Sequence, residues 1–487
     1  MKRIVLLGGI AVACACAGSV GARSVIKHNV VLFVPDGLRP AMVTRETAPA
    51  MAAVRDIGVN FRNSHSLFPT FTTPNAAAMA TGHYLGDTGD FSNTIYTGFP
   101  VPGAGNSLTP FLESDPVLGD VDEHFAGDYL DEATILKVAR AQGLSTATIG
   151  KLGPTLIFDH TDRNGTSTIV VDDSTGTPAG IPLSPELVDK LAAADLPSKA
   201  PSRGDNGGAG NATTPGTTTA NVAQQDYFVD VATRIVLPLF KERRTPFVLV
   251  FWSRDPDGTQ HNQGDSLNRL VPGINGLTSL AAIKNADDDL AKLRAALDAL
   301  GLADRTDIVI AADHGFATIS KESGTSVAAQ QRYADVPPGF LPPGFLAMDL
   351  GMALELPVFD PDAKNTLLER GHHPSRGNAL LGVSPSDPDI VVAANGGSDL
   401  VYLPKRDRKM AGRVIASLLR EDYVSGLFVD DALGAFPGTL PLSTINLRGS
   451  AVTPMPAIAV NFKTFATGCD RPLLCTVEVA SVTRTSA

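Results

Sequence analysis

Three short stretches, each closing an apolar run, carry the carboxylates and imidazoles that divalent metals bind. Val30–Val34 runs into Pro35-Asp36-Gly37, and Phe247–Trp252 runs towards Asp257 with His261 four residues further on. Ile308–Ile310 runs into Asp313-His314. Zinc takes oxygen and nitrogen ligands of this kind, four as a rule, and hydrolytic sites often pair two ions about 4 Å apart. Taken singly the signals are weak, since Pro-Asp-Gly is a common turn. Three of them, each following a strand-like run, point to one place. Parallel strands align their C-terminal ends along one sheet edge, and ligands bind there.

Between the first and second stretch lies Pro69-Thr70-Phe71-Thr72-Thr73-Pro74-Asn75, opening an alanine-rich segment that reads as a helix. The Thr72 hydroxyl is a poor nucleophile at neutral pH, but metal coordination favours its alkoxide. Pro74 suits the first helical position, and the free N–H groups of a helix start suit an anion. Thr73, beside the proline, is expected to cap the helix, which leaves Thr72 to face the metals.

The elements that must position these residues alternate between helix and strand. Asp131–Gln142 reads as a helix stopped by Gly143, followed by a strand over Ser145–Ile149. Tyr227–Phe240 reads as a helix bent near Pro238, leading into the strand Phe247–Trp252. Ile283, Ala286, Leu290, Leu293, Leu297 and Leu300 share one helix face, Gly301 ends it, and Asp307 opens another strand. The pattern predicts an α/β fold with a mainly parallel central sheet, helices on both faces and irregular insertions. Asp115–Gly127, Ser198–Thr219 and Ser320–Pro343 read as irregular, the second as a low-complexity insert near 198–222. Asp287-Asp288-Asp289 reads as a solvated face near a helix N-terminus rather than a cation site.

Size and charge narrow the function. The chain has 487 residues, 43% of them hydrophobic, which is ample for a large core. A formal charge of −11 without a basic stripe argues against a tightly held nucleic-acid polymer. Lys2 and Arg3, the apolar Ile4–Ala17 and the small residues Val20-Gly21-Ala22 read as an export signal over 1–22, with lipid attachment at Cys14 the weaker alternative. The segment is too short to span a bilayer well. Export places the protein in the periplasm or outside the cell, where Cys469 and Cys475 are expected to pair as a disulfide. A single catalytic domain is expected over 23–487.

As a set, the motifs resemble the nucleotide pyrophosphatase/phosphodiesterase branch of the alkaline phosphatase superfamily. The resemblance rests on Asp36-Gly37, Thr72-Thr73-Pro74-Asn75, Thr81-Gly82-His83-Tyr84 with Asp87-Thr88-Gly89, Pro256-Asp257 to His261, and Ala312-Asp313-His314-Gly315. It covers residues 28–100 and 245–320 well; Leu85 and Thr88 depart from the family pattern. It implies an alkaline phosphatase-like fold holding two divalent ions, most simply zinc. Asp257 and His261 would bind one; Asp36, Asp313 and His314 would bind the other, with Thr72 as the nucleophile touching both. Asn93 and the backbone N–H of Thr72 or Thr73 would hold the transferring oxygen. The implied substrate is a small phosphodiester or nucleotide, hydrolysed through a phospho-threonine. A sulfatase or a phosphate monoesterase would need a different nucleophile motif; a phosphonate hydrolase of the same fold also uses a threonine and two zincs.

One departure matters. The family completes the Asp257/His261 ion with a further histidine in a late Gly-x-His-Gly segment, and here no histidine follows His373. His372 and His373 are the candidates to substitute. Otherwise that ion lacks a ligand, through truncation or divergence, and the chain is an impaired enzyme or a binding protein. His28, His65, His83, His124 and His160 have no partner pattern and read as structural or solvated.

Overall fold

The computed structural model describes residues 28–208, 210, 214, 216–262, 269–468 and 475–482. The expected signal segment 1–22, Cys14 and Cys469 lie outside these residues, so the Cys469–Cys475 pairing does as well. Among the described residues no helix is long and apolar enough to cross a membrane.

Five parallel strands form the central sheet: β1 (Asn29–Pro35), β2 (Ser145–Gly150), β3 (Ile169–Asp172), β4 (Phe247–Ser253) and β5 (Thr306–Ile310). Their order is β3-β2-β4-β1-β5. β4 is buried on both faces and β1 nearly so, which is why each reads as a continuous apolar run rather than an alternating one. The two-residue period sorts the side chains: β1 sends Val31 and Phe33 to one layer and Val34 to the other. β4 sends Phe247, Leu249 and Phe251 to the first layer and Val248, Val250 and Trp252 to the second. The α/β expectation with helices on both faces therefore holds.

A second sheet joins the second layer. It is mixed, with eight strands in the order Leu440–Pro441, Val424–Val429, Ile458–Phe462, Ser398–Tyr402, Ile390–Ala394, Ala379–Leu381, Val358–Asp360 and Thr366–Leu367. Its Val391, Ala393, Leu400 and Tyr402 share one apolar core with Ala76, Ala77 and Ala80 of the helix Thr72–Thr81. Small alanines let that helix sit closely between its neighbours, so its first residue is held firmly. Most of this sheet's strands are short and follow irregular segments, which left them without a clear periodic signal.

Several local expectations need correction. Asp115–His124 is a helix, not irregular chain, with Val117, Leu118 and Val121 on its buried face. The helix expected from Asp131 begins only at Ile135, where the Thr134 side chain accepts from the Lys137 N–H. The bend placed at Pro238 is instead a π-helical stretch over Val231–Val236, just before the proline. The helix anticipated from Ile283 runs over Leu277–Ala299. Within the 198–222 insert, Asn206 and Thr217 are buried and hydrogen-bonded to one another, so that part packs rather than dangles.

The acidic run is also different from expectation. Asp288 is exposed and pairs with Lys284, but Asp287 and Asp289 are buried. Both oxygens of Asp287 accept from the Ala50 and Met51 N–H groups, at 2.9 and 2.8 Å, and so cap the helix Pro49–Ile57 from a distance of more than 230 residues in sequence. That helix has no side-chain cap of its own. Asp287→Ala is expected to destabilise the protein by about 1–2 kcal/mol, as loss of a helix cap does. A thermal melt should show a lower Tm with turnover per folded molecule unchanged; an unshifted Tm would show the cap to be dispensable.

Candidate active site

The backbone beyond the strand ends continues the ladder before it diverges. The Asp36 N–H donates to Ser253 O at 3.1 Å, the Asp257 N–H to Asp36 O at 3.0 Å, and the Lys151 N–H to Trp252 O at 3.0 Å. Residues that leave β1, β2 and β4 are thereby fixed against one another. Gly37 is required at its turn. Its φ is +67°, and a Cβ there would lie 3.0 Å from Asp257 Cβ. Its N–H donates to Asp313 Oδ1 at 3.0 Å, which ties the end of β1 to the segment after β5. Asp257 and His261 sit on one face of the helix Asp257–Asn262, as their four-residue spacing requires.

These elements bring Asp36, Thr72, Asp257, His261, Asp313 and His314 together. One ligand atom from each of Asp36, Asp313 and His314 lies within 4.8 Å of the others. His314 Nε2 is 3.3 Å from Asp313 Oδ2, 3.6 Å from Asp36 Oδ1 and 3.2 Å from Thr72 Oγ1. His261 Nε2 is 3.3 Å from Asp257 Oδ1. Asp36 Oδ1, Asp313 Oδ2 and Asp257 Oδ1 are buried and accept no hydrogen bond. Buried anionic oxygens without donors are costly, and a cation answers that cost. The donor set of Asp36, Asp313 and His314, two carboxylates and an imidazole, therefore fits a divalent ion.

The electrostatics agree. Burial pushes Asp36 up to about 7, helped by Asp313 and opposed by Lys151. Burial opposes the charge on His314, but Asp313, Asp36 and Asp257 outweigh it and lift the imidazole to about 9. Groups that hold protons this tightly mark a place short of positive charge.

Two residues at this point escaped the sequence reading. Lys151 is buried, and its Nζ donates to Asp36 Oδ2 at 2.9 Å, Thr72 Oγ1 at 3.1 Å and Asp257 Oδ2 at 3.3 Å. Glu113 Oε1 lies 3.3 Å from the same nitrogen. Burial works against its charge, yet Asp36, Glu113 and Asp257 hold the ammonium well above its ordinary range. Trp252, the one tryptophan, donates Nε1–H to Asp36 Oδ2 at 2.7 Å. Both follow or close strands that were recognised, on the correct sheet edge, and that position was the available signal. Glu113 is a third newcomer and Glu478, from the strand Thr476–Val479, a fourth; burial raises Glu478 to about 7 and His314 pulls it back.

Around the threonine the details differ from expectation. Thr72, not Thr73, begins the helix, whose N-cap is Phe71 with no side-chain bond. The Thr73 hydroxyl donates to Asp90 Oδ1 at 2.9 Å instead of capping. Asn93 is present, but its Oδ1 accepts from the Thr73 N–H at 2.8 Å, and its Nδ2 donates to Glu113 at 3.3 Å. The Thr73 N–H is therefore taken, which leaves that of Thr72 as the amide free to hold an anion. Asn75 staples the preceding loop, accepting from Leu67 N–H and donating to Phe71 O.

No other imidazole joins the site. His373 faces Asp335 at 3.3 Å and packs edge-on against Tyr333, and His372 is exposed beside it. The alternative that this pair supplies the missing ligand finds no support, and the pair has the character of a surface loop. His28 meets Asp307, His83 meets Glu132, His160 meets Asp122, His124 stacks on Phe99, and His65 is exposed with a contact to Ser66 O.

A parallel central sheet with helices on both faces and these side chains at its C-terminal edge is an alkaline phosphatase-like fold. The type I phosphodiesterase / nucleotide pyrophosphatase family matches residues 30–430, and the chain belongs to that family. No curated protein matches it. Among solved structures it is similar to phosphonoacetate hydrolase from Sinorhizobium meliloti 1021 in complex with phosphonoformate, with a TM-score of 0.52 at 16% identity over 93% of this chain and 83% of that one. The phosphonoacetate complex of the same enzyme gives 0.50 at 16% identity, with the same coverage. Murine ectonucleotide pyrophosphatase / phosphodiesterase 5 in complex with AMP gives 0.47 at 13% identity, over 93% and 80% of the two chains. At these identities the likeness is one of fold.

Asp90, which holds Thr73, offers a test by pH. It is fully buried, and desolvation raises it from 3.8 to about 8. The folded protein thus binds a proton at Asp90 that the unfolded chain releases between those values. Stability from this group is full below pH 4 and falls as pH rises towards 8, by up to about 1.4 kcal/mol per unit. Asp90→Asn keeps an acceptor for Thr73 and removes the slope. The Tm of wild type is expected to fall relative to the variant from pH 5 to pH 8; a constant gap would place Asp90 at an ordinary pKa.

Proposed function

We propose that the chain is an exported, metal-dependent phosphodiesterase/nucleotide pyrophosphatase that cleaves small phosphodiesters or pyrophosphates through a phospho-threonine at Thr72. The observation that carries this reading is the Thr72 hydroxyl itself. It begins a helix, beside the Asp36, Asp313 and His314 cluster, and lies 3.2 Å from His314 Nε2 and 3.1 Å from Lys151 Nζ. Membership of the family supports the reaction class. The basic and apolar N-terminal sequence supports export.

Asp36, Asp313 and His314 would hold a divalent ion, with Thr72 beside it and Asp257 and His261 next to them. Such an ion, bound there, would supply Lewis-acid stabilisation of the threonine alkoxide and of charge on the phosphoryl oxygens. The residues do the rest. Trp252 and Lys151 occupy Asp36 Oδ2, so Oδ1 is the oxygen that would face an ion. Thr72 Oγ forms a bond to phosphorus as the bond to the first alcohol breaks, and that alcohol departs with the hydroxyl proton. Water then attacks the phospho-threonine, the Thr72 O–P bond breaks, and Thr72 regains a proton as the phosphomonoester leaves. The Thr72 N–H and Asn93 Nδ2 orient a non-bridging oxygen throughout. Asn93 can do so because the Thr73 N–H fixes its amide plane.

Hydrolysis of bis-p-nitrophenyl phosphate, p-nitrophenyl phosphate and phosphonoacetate separates the possibilities. The diester is expected to turn over fastest. Thr72→Ala should lower kcat by about a thousandfold or more while the Tm and bound metal stay as in wild type. Retained turnover in Thr72→Ala would remove the nucleophile. Release of phosphate from phosphonoacetate alone would make the chain a phosphonate hydrolase, and metal binding without any turnover would make it a binding protein.

A further inference from the structure

The sequence resemblance calls for two metal ions, and the side chains around Asp257 do not provide for the second. We infer that Lys151 takes that ion's place: the chain binds one divalent ion, at Asp36, Asp313 and His314, and the Lys151 ammonium is the second positive charge against Thr72. The inference rests on the function proposed above, since it concerns the same threonine.

Three observations converge. First, the ligands are too few. Asp257 and His261 are two, where a catalytic zinc takes three from the protein. Each of the other histidines, His314 apart, is exposed or engaged with a residue outside the site, and among the described residues only Asp36, Asp313 and His314 form a group of three or more candidate ligands.

Second, the place is taken. Lys151 Nζ sits between Asp36 Oδ2, Asp257 Oδ2, Glu113 Oε1 and Thr72 Oγ1, all within 3.3 Å. These are the groups a bridging cation would neutralise. An ammonium so placed has its protons directed at acceptors, and a divalent ion on Asp257 would meet a positive charge already sharing that carboxylate. Lys151 is not a mobile surface residue that swings in. Its N–H is locked to Trp252 O at 3.0 Å, and it follows Gly150, where a Cβ would fall 1.9 Å from that same carbonyl oxygen. The end of β2 is pressed against β4 so closely that the lysine has one direction to take.

Third, the remaining oxygen of Asp257, which accepts no hydrogen bond, has a single imidazole beside it. Asp257 Oδ1 lies 3.3 Å from His261 Nε2, and the His261 ring packs edge-on against Phe316 at 4.9 Å, with its side chain half exposed at the rim.

In chemical terms the arrangement keeps a fixed N–H donor on the nucleophile oxygen. Lys151 would stabilise the oxyanion of Thr72 by a charge-assisted hydrogen bond, and an ion held by Asp36, Asp313 and His314 would add Lewis-acid stabilisation.

Metal counting tests this directly. Trp252 donates to Asp36 and is the only tryptophan, so its fluorescence reports binding at the Asp36 cluster. Full-length protein stripped by chelator dialysis is titrated with Zn2+, with Trp252 emission and bound zinc both recorded. The expected result is one equivalent per chain. Asp257→Asn should keep that equivalent and Asp313→Asn should lose it. Two tightly bound equivalents in wild type, or loss of the single equivalent in Asp257→Asn, would overturn the inference. Lys151→Met is expected to bind zinc but turn over bis-p-nitrophenyl phosphate at least a hundredfold more slowly, with Lys151→Arg recovering part of the loss. Wild-type turnover in a folded Lys151→Met would also overturn it. Should Lys151→Met not fold, the counts on wild type and Asp257→Asn decide alone. Two equivalents with full diesterase activity would sink this inference and leave the proposed function standing. One equivalent with no diesterase activity would do the reverse.

Discussion

Everything at this site follows from packing too many carboxylates into one buried point. Asp36, Asp257 and Asp313 are each almost wholly buried, and Glu113 stands behind them. Unpaired, such a group would be deeply unfavourable. The fold answers with donors it can build in. Trp252 and Lys151 cover one oxygen of Asp36, Gly37 N–H covers one of Asp313, and Lys151 covers one of Asp257. What it leaves uncovered is one oxygen on each carboxylate, and those three oxygens turn towards His314 and His261. Removing one partner of a buried ion pair costs roughly 3–5 kcal/mol. The cluster is therefore a structural commitment as well as a chemical one, and its geometry cannot drift without loss of stability.

The parallel sheet makes that concentration possible. β1, β2 and β4 lie side by side, and the three N–H to carbonyl bonds just past their ends keep Asp36, Lys151 and Asp257 in step. A divergence of one residue at any of these ends would turn the side chain to the other face. Gly37 and Gly150 permit the close approach that ordinary residues would block. The second sheet contributes by clamping the helix that starts at Thr72, through Val391, Leu400 and Tyr402 against Ala76, Ala77 and Ala80. A hydroxyl on the first turn of a helix packed on two sides has little freedom, which suits the in-line attack on phosphorus proposed for Thr72.

Legibility divided along the same lines. β1 and β4 were visible because buried parallel strands are apolar runs of limited length, and the edge strand β5 because Ile308, Val309 and Ile310 are themselves such a run. The acids after them could be read because a carboxylate directly behind such a run has few structural uses. Thr72 was visible from the proline and asparagine that follow it. Lys151 could not be seen that way. A lysine after a short strand is usually solvated, and only the adjacency of β2 to β4 turns it inward. Glu113 and Glu478 come from segments with no periodic signal near the site. Asp287 read as surface because its partners, the Ala50 and Met51 N–H groups, belong to a distant helix. Contacts that close over hundreds of residues leave no local trace.

The proposed exchange of the second metal ion for a lysine at a neighbouring strand end has a physical logic. A divalent ion brings charge and can be lost to a chelator; an ammonium brings half the charge, is covalently tethered and is insensitive to metal supply. It also has direction, because its N–H bonds must point at acceptors, whereas a metal ion accepts ligands from around a sphere. The exchange would preserve the part of the chemistry that depends on stabilising the threonine oxygen. It would weaken the part that depends on gripping two phosphoryl oxygens at once, since one ion can hold fewer than two. On that argument the burden of orienting the phosphate shifts to Asn93 and the Thr72 N–H, which are neutral donors held by the protein itself. The immobilisation of Asn93 by the Thr73 amide is then not incidental. A site with one fewer cation needs its remaining donors already in place before substrate arrives.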